Sequence, residues 1–297
     1  MRLSSIASLV AVSFVYFHTQ PVMAASLFFI GTGAGTVCSQ TAPCELSTAI
    51  SQATATPVEL SCADSSDVFS GATINKSLTI DCAGTAGSIN GIEVNSGAVV
   101  TLRNLTIGGN TEDGIFLING TLILENVHFV GVGSIGINAA PISPSTLIVK
   151  NSIINRGGVP AVLLKPGAGG SLSASFDHVT IAGNGGGGIR LDTTNGPVTA
   201  DVTDSVISNN AGNGVSAQGG AGGAAMLSIH NSVIADNGAA GVNATGTNGA
   251  ALVDTTLLDS NASGATSVAS GGRIVTYGNN RIIGTLGSGF TGTASLQ

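Results

Sequence analysis

Few side chains in this sequence could do chemistry, because only 8% of its 297 residues are charged. One candidate set of titratable side chains lies in the middle of the chain and comprises Lys150, Asp177, His178, Arg190, Asp192 and Asp201. Carboxylates, a histidine and cations held close together could exchange protons with a bound substrate. Whether these six act together depends on the elements that position them.

A polar residue recurs along the chain every 22 to 27 residues and marks one position of a repeat. These anchors are Asn104, Asn126, Asn151, His178, Asp204, Asn231, Thr255 and Asn279. Apolar or small residues stand two and four positions before each anchor, from Leu102 and Val100 in the first case to Tyr277 and Val275 in the last. This alternation predicts one strand per repeat with a single buried face.

The residues after each anchor predict a bend and a further strand. An inward residue follows three positions on, as at Ile107 and Ile282, and a small residue follows ten positions on, from Gly114 to Gly289. The next residue, from Ile115 to Phe290, opens the further strand. A unit this small cannot bury its own apolar face, so the repeats must stack. The pattern predicts an all-β parallel β-helix, a solenoid of about nine coils.

The anchor column itself favours a structural role. Asparagine side chains stacked along a parallel sheet can hydrogen-bond to one another and satisfy buried amides at a bend. The predicted structural ladder comprises Asn104, Asn126, Asn151, Asp204, Asn231 and Asn279. His178 takes an anchor position in this register, so a hydrogen bond at the turn is its favoured role.

The N-terminus predicts export. Residues 1–24 carry Arg2, an apolar run and a small-residue cleavage site ending at Ala24, which are typical of a signal peptide. The apolar run is short and interrupted for a membrane span, although an uncleaved anchor stays an alternative. We expect the mature protein to be secreted or periplasmic, without stable membrane insertion. Residues 25–57 form an N-terminal segment whose helix, Glu45 to Ala53, caps the β-helix of residues 58–297.

Four cysteines, Cys38, Cys44, Cys62 and Cys82, lie in the first third of the chain. An even number in an exported protein favours disulfides, and no CxxC motif or nearby histidine indicates zinc. The sequences around Cys62 and Cys82 match at an offset of 20 residues, so these two cysteines are expected to stack on adjacent coils. We predict the disulfides Cys62–Cys82 and Cys38–Cys44.

Composition excludes several partners. A net charge of −7, a pI near 4.8 and the lack of a basic run argue against nucleic acid. The glycine- and aspartate-rich repeats of calcium-binding β-rolls are missing, and no metal or other cofactor is predicted. Tyr277 is the only tyrosine after the signal and tryptophan is absent, so a ring-stacking platform for sugars is not expected.

The coil pattern resembles the pectate-lyase-like right-handed β-helix superfamily over roughly residues 38–297. It resembles more closely the exported bacterial β-helix repeat proteins that have no assigned activity. Polyuronate-cleaving enzymes of the superfamily keep their catalytic groups on the solvent-exposed face of one sheet near the middle coils. In this chain the resemblance places that face just before the anchors, at Arg103, Glu125, Lys150, Asp177, Thr203, His230 and Asp254.

Short motifs divide the hypotheses about function. The segment Phe176-Asp177-His178-Val179 is similar to an Asp-His stretch of pectate lyases, but the Arg-x-Pro-x-x-Arg segment that supplies their base is absent. The Asn-Thr-Asp, Asp-Asp and Gly-His-Gly motifs of the related hydrolases are absent too. The sequence therefore favours a non-catalytic exported β-helix protein that acts in surface contact, adhesion or glycan contact. The alternative is a lyase or hydrolase of an acidic polysaccharide that uses the six residues named first.

Overall fold

The computed structural model describes residues 26–31, 35–54, 58–63, 68–83, 88–95, 97–109 and 112–295. The predicted signal, residues 1–24, lies outside these ranges. Strand pairing is parallel throughout the described sheets, and the strands stack in three columns that we name the first, second and third sheets.

The strands of each sheet recur once per coil. The first sheet contains β1 (Ser26–Ile30), β2 (Val58–Cys62), β5 (Leu78–Asp81), β8 (Val99–Gly108), β10 (Thr121–Val130), β12 (Pro144–Lys150), β15 (Ser171–Asp177), β18 (Val198–Thr203), β21 (Ala225–His230), β24 (Gly249–Asp254), β27 (Arg273–Thr276) and β29 (Gly292–Thr293). The second sheet contains β3 (Val68–Phe69), β6 (Ser88–Ile89), the ends of β8 and β10, β13 (Ile153–Asn155), β16 (Thr180–Ala182), β19 (Val206–Ser208), β22 (Val233–Ala235), β25 (Leu257–Asp259) and β28 (Arg281–Ile283). The third sheet contains β4 (Ala72–Ile74), β7 (Ile92–Val94), β9 (Ile115–Leu117), β11 (Ile137–Ala139), β14 (Val162–Leu164), β17 (Ile189–Asp192), β20 (Val215–Gln218), β23 (Val242–Thr245) and β26 (Thr266–Ala269).

The predicted β-helix of about nine coils is confirmed. Along β15 the burial alternates, with Leu172, Ala174 and Phe176 inside and the residues between them outside. Each inward residue stacks on its equivalent in the next coil, since Phe176 pairs with Val202 and Val202 with Ile229. Stacking of this kind buries one continuous apolar core along the whole solenoid.

The anchors occupy an outer bend between the first and second sheets. Seven of them have positive φ between 46° and 57°: Asn104, Asn126, Asn151, His178, Asp204, Asn231 and Thr255. Asparagine and aspartate tolerate this left-handed conformation better than most other residues. Their type at this position is therefore explained by backbone geometry.

The predicted ladder is only partly formed at the outer bend. The Asn126 Nδ2 donates to Asn104 Oδ1 over 2.8 Å and the Asn231 Nδ2 donates to Asp204 Oδ1 over 2.5 Å. The column is interrupted at Asn151, whose side chain makes no hydrogen bond within the described residues. Most of these side chains are exposed, because the left-handed bend turns them away from the core.

A buried asparagine ladder lies instead at an inner bend between the second and third sheets. Its rungs stand six residues after the anchors, at Asn184, Asn210, Asn237 and Asn261. Each of the first three donates its Nδ2 to the next Oδ1 over 2.8 to 3.0 Å. Each Nδ2 also reaches a backbone carbonyl of the previous coil, as Asn237 does with Ile207. Buried amides are thereby satisfied in this column, as buried polar groups must be.

The register predicted for the last coil was wrong by one residue in the first sheet and right in the second, where Ile282 pairs with Leu258. Val253 pairs with Thr276 at an offset of 23, so Gly278 takes the bend position predicted for Asn279. Glycine adopts the positive φ of this bend, 84° at Gly278, without steric cost. A slip of one residue reverses which side chains face inward, so Tyr277 lies on the outer face rather than in the buried column.

Other positions of the last coil also differ from the prediction. Ile274 is fully buried where Val275 was expected to point inward. On the third-sheet side, Thr266 donates its N–H to Leu286, so Gly289 does not continue the column of small residues. Phe290 packs against the core without opening a strand of the third sheet.

The N-terminal end has the predicted cap. Helix α1 spans Leu46–Gln52 and buries Leu46, Ala49 and Ile50 against the first coils. The structure contains both predicted disulfides, Cys38–Cys44 and Cys62–Cys82, with Cα–Cα distances of 4.7 and 4.8 Å. In the described part of the chain, no helix is both long and apolar enough to cross a membrane.

Candidate functional site

The outer face of the third sheet changes in charge along the solenoid. Strand register aligns one outward side chain from each coil in a single row: Thr73, Glu93, Phe116, Asn138, Leu163, Arg190, Ser216, Asn243 and Ser267. Two positions further on, Lys165, Asp192, Gln218 and Thr245 form a second row. Lys165 continues β14, since its N–H donates to the Ala139 carbonyl over 2.8 Å.

Lys165, Arg190 and Asp192 meet in the middle of this face. The Asp192 Oδ2 lies 3.2 Å from Lys165 Nζ and 3.0 Å from Arg190 Nη2. The carboxylate side chain is only 7% exposed, whereas the lysine and arginine side chains are 41% and 42% exposed. The cluster therefore presents two accessible cations around one enclosed carboxylate, with a formal charge of +1.

The turn after β17 fixes the Asp192 carboxylate. Its Oδ1 accepts the Thr194 N–H over 3.1 Å and the Thr194 hydroxyl over 2.5 Å. Burial opposes ionisation of Asp192, but the hydrogen bonds from Thr194 and the contact with Lys165 outweigh it, so the pKa of Asp192 lies below its ordinary value. Asp192 is therefore held ionised, and both of its carboxylate oxygens already have partners.

A groove of about 220 Å³ lies beside Arg190 on the side of the next coils. Its lining includes Val159, Pro160, Ser216 and Gln218. Arg190 also has a buried Nε without a hydrogen-bond partner in the described structure. This N–H is enclosed, so the exposed part of the guanidinium is what a ligand in the groove could contact.

Towards the N-terminus the same face becomes acidic. A broad hollow of about 1030 Å³ is lined by Glu93, Glu112, Asp113 and Phe116. Asp113 accepts the Asn138 Nδ2 over 2.7 Å and the Ile135 N–H over 3.0 Å. Glu93 and Glu112 form no ion pair within the described residues, so this hollow keeps an uncompensated negative charge.

The six residues proposed from the sequence do not form one group. Arg190 and Asp192 lie on the third sheet, whereas Lys150, Asp177 and Asp201 lie on the first. Lys150 and Asp177 are paired in register. Asp201 pairs with Ser175, which puts it diagonally next to Asp177.

His178 projects from the outer bend next to these first-sheet residues. Its Nδ1 lies 2.6 Å from Asp177 Oδ1, and one ligand atom from each of Asp177, His178 and Asp204 lies within 4.8 Å of the others. His178 and Asp204 are exposed, and Asp204 already accepts the Asn231 amide. The positive φ of 54° at His178 agrees with the role at the turn that its anchor position predicted.

The outward-facing residues just before the anchors of the first sheet are in the predicted register. Arg103, Glu125, Lys150 and Asp177 stand side by side on successive coils. Among the described residues, however, no ion pair joins them to one another. Arg103 instead contacts Asp81 at 2.6 Å.

Sequence reasoning missed Lys165 and Thr194. A usable signal existed, because Lys165 and Asp192 are 27 residues apart, the same offset as the anchors Asn151 and His178. Both residues also stand two positions after an outward residue of the third sheet, which places them on the same face.

Comparisons with known proteins support the fold. Residues 59–197 and 161–295 match the family model described as the right handed beta helix region. The solved structure of the pectate lyase Pel9A is similar with a TM-score of 0.65 and 16% identity, covering 91% of this chain and 78% of the lyase. The A-modules of two Azotobacter vinelandii mannuronan C-5 epimerases, AlgE4 and AlgE6, are similar with TM-scores of 0.58 and 0.53, each at 14% identity. These alignments cover 85% and 90% of this chain, and 95% and 93% of the epimerase modules. No curated protein matches the chain in sequence.

Proposed function

The chain belongs to the right-handed β-helix family, and from that premise we propose that it contacts anionic polysaccharide through Lys165 and Arg190 without catalysing a reaction. The single observation that carries this proposal is the state of Asp192. The site has two accessible cations, and its one carboxylate is already occupied by them and by Thr194.

A general base must be free to accept a proton and should have a pKa near the working pH. Asp192 is poorly suited to this role, because its pKa is lowered and its oxygens accept four contacts. Glycoside hydrolysis needs a second carboxylate across the scissile bond, and the Lys165–Arg190–Asp192 cluster contains one. Binding therefore fits this cluster better than bond cleavage does.

The two cations suit a carboxylate or sulfate on a sugar. The exposed part of the Arg190 guanidinium can make charge-assisted hydrogen bonds, and Lys165 adds a flexible point charge. The names of the similar structures refer to pectate and mannuronan, which are polymers of uronic acids. At this level of identity the likeness shows the fold alone, so it supports the choice of probe in the experiment below.

Such a partner is found outside the cytoplasm. Two disulfides in the N-terminal coils suit an oxidising compartment. We therefore propose a secreted or periplasmic location after cleavage near Ala24.

Calorimetric titration with uronic-acid oligosaccharides at low salt tests the proposal. Lys165→Ala and Arg190→Ala should each weaken binding roughly tenfold, the loss expected for one charge-assisted contact. Lys150→Ala is the matched control, because it removes one exposed cation from the first sheet, and it should leave the affinity unchanged. Equal losses in all three variants, or no binding by the native protein, would contradict the proposal.

The second candidate function is a lyase or hydrolase acting on the acidic polysaccharide. The observation in its favour is that a lysine and an arginine flank a carboxylate on a fold shared with a pectate lyase. The same oligosaccharides are incubated with the protein and followed by ultraviolet absorbance for unsaturated products and by assay of reducing ends. We expect no product. Turnover that is lost in Lys165→Ala and kept in Lys150→Ala and Asp177→Ala would establish this function instead.

A further inference from the structure

We propose that the polysaccharide that fits the third-sheet face carries isolated anionic sugars separated by neutral ones, rather than an unbroken run of uronic acids. This inference rests on the proposed function and specifies its ligand. It follows from the charges on either side of Lys165 and Arg190.

The acidic hollow limits the ligand on the N-terminal side. Glu93 and Glu112 line it without an ion pair in the described residues. At about 4.8 Å per coil the hollow lies roughly 15 Å from Arg190. A sugar carboxylate that reached it would meet like charge at close range, where screening is weak.

The C-terminal side offers neutral hydrogen-bonding groups. Ser216 and Gln218 follow Arg190 and Asp192 in register, and Asn243 and Thr245 follow in the next coil. The Asn243 Nδ2 donates to Ser216 Oγ over 2.8 Å, and both side chains are buried. The half-buried Gln218 and Thr245 therefore present the accessible neutral polar groups. No charged side chain lies in these two rows within the described coils from 215 to 269.

The groove beside Arg190 combines one cation with apolar and neutral surface. Val159 is 68% exposed and lines the groove with Pro160, and the accessible lining of the groove is mostly apolar. A carboxylate buried there without a cation would be left unpaired, which is costly. The apolar C–H face of a neutral sugar ring matches this surface. The face therefore has room for one or two anionic sugars at the centre and for neutral sugars on the C-terminal side.

Three oligosaccharides of equal length test this inference by titration at two salt concentrations: an all-uronate chain, a chain with isolated uronates among neutral hexoses, and an all-neutral chain. We expect the mixed chain to bind roughly tenfold more tightly than the all-uronate chain at low salt. The neutral chain should bind weakest, because it lacks the partner of Arg190.

Two variants locate the cause. Glu93→Gln with Glu112→Gln should tighten all-uronate binding about fivefold by removing like charge and leave mixed-chain binding unchanged. Gln218→Lys should also tighten all-uronate binding, by adding a positive charge on the C-terminal side. Glu125→Gln on the first sheet is the matched control and should have no effect.

The outcomes separate the two proposals. If the all-uronate chain binds as tightly as the mixed chain and the Glu93/Glu112 variant changes nothing, the inference is wrong while the proposed function stands. If none of the three chains binds, the proposed function itself fails.

Discussion

The two bends of each coil hold the same kinds of polar residue in opposite environments. At the outer bend Asn231 and Asp204 form a hydrogen bond that faces solvent. Six residues later, at the inner bend, Asn237 and Asn210 form a comparable hydrogen bond that is 1% exposed on both sides. The two aspartates differ in the same way. The side chain of Asp192, on the third sheet, is 7% exposed, whereas that of Asp177, on the first sheet, is 37% exposed.

This difference shows that residue type alone does not decide what a polar group does in a solenoid. A hydrogen bond in solvent competes with water and contributes little, whereas a buried group that loses its partner keeps its full desolvation cost. The inner side should therefore carry most of the stability from polar contacts. The site follows the same rule, because the enclosed Asp192 stays ionised only through its contacts with Thr194 and its two cations.

The strongest test compares Asn237→Ala with Asn231→Ala, two substitutions in one coil. Asn237→Ala removes the acceptor of Asn210 and the donor to Ile207 and Asn261, and should cost about 3 kcal/mol. Asn231→Ala places alanine at a φ of 46° and should cost about 1 kcal/mol. Urea denaturation measures both. Equal costs would mean that enclosure does not distinguish the bends.

The next largest effect is expected from the two aspartates. Asp192→Ala leaves Lys165, Arg190 and Thr194 without their shared partner and should lower stability by about 2 kcal/mol. Asp177→Ala removes an exposed contact with His178 and should change stability by less than about 0.5 kcal/mol. Thermal unfolding in parallel provides the measurement, and a larger loss at Asp177 would reverse the comparison.

Acid should abolish the contribution of Asp192. Burial opposes its ionisation, yet hydrogen bonds from Thr194 and Lys165 lower its pKa in the folded protein. A lowered folded pKa adds stability that is present above the unfolded value, about 3.9, and that is lost as the pH falls through the folded pKa. The stability difference between native protein and Asp192→Asn should therefore be constant from neutral pH to about 5 and shrink below about 4. A difference that persisted into strong acid would show that Asp192 is not the group responsible.

The fold was predictable because the residues of each stacking column recur at fixed offsets along the sequence. Apolar residues at fixed offsets from each anchor, such as Phe176 and Ile181 around His178, can only be buried together by coiling. The last coil was misplaced because Ile274-Val275-Thr276-Tyr277 alternates acceptably in either register. The bend falls at Gly278 because glycine adopts the left-handed conformation more easily than Asn279 does.

The site was less predictable than the fold. Arg190 and Asp192 were recognised as candidates, but they were grouped with Lys150 and Asp177 by closeness in the sequence. Residues that are close in sequence leave a coil on different faces, whereas Lys165 and Asp192 share a face because one full coil separates them. The buried asparagine ladder was missed for a similar reason, since its rungs fall in glycine-rich turns without strand alternation.

The smallest expected effect concerns the alternating charges of the first sheet. Glu125 and Lys150 are neighbours in register, and both are exposed, so water and side-chain entropy offset their attraction. A double-mutant cycle with Glu125→Ala, Lys150→Ala and both together should give a coupling below about 0.5 kcal/mol. The same cycle in high salt should give no larger value, because screening can only weaken an exposed pair. A coupling comparable with the loss expected for Asp192→Ala would show that a row of exposed charges on the outer side stabilises the solenoid as much as the enclosed cluster does.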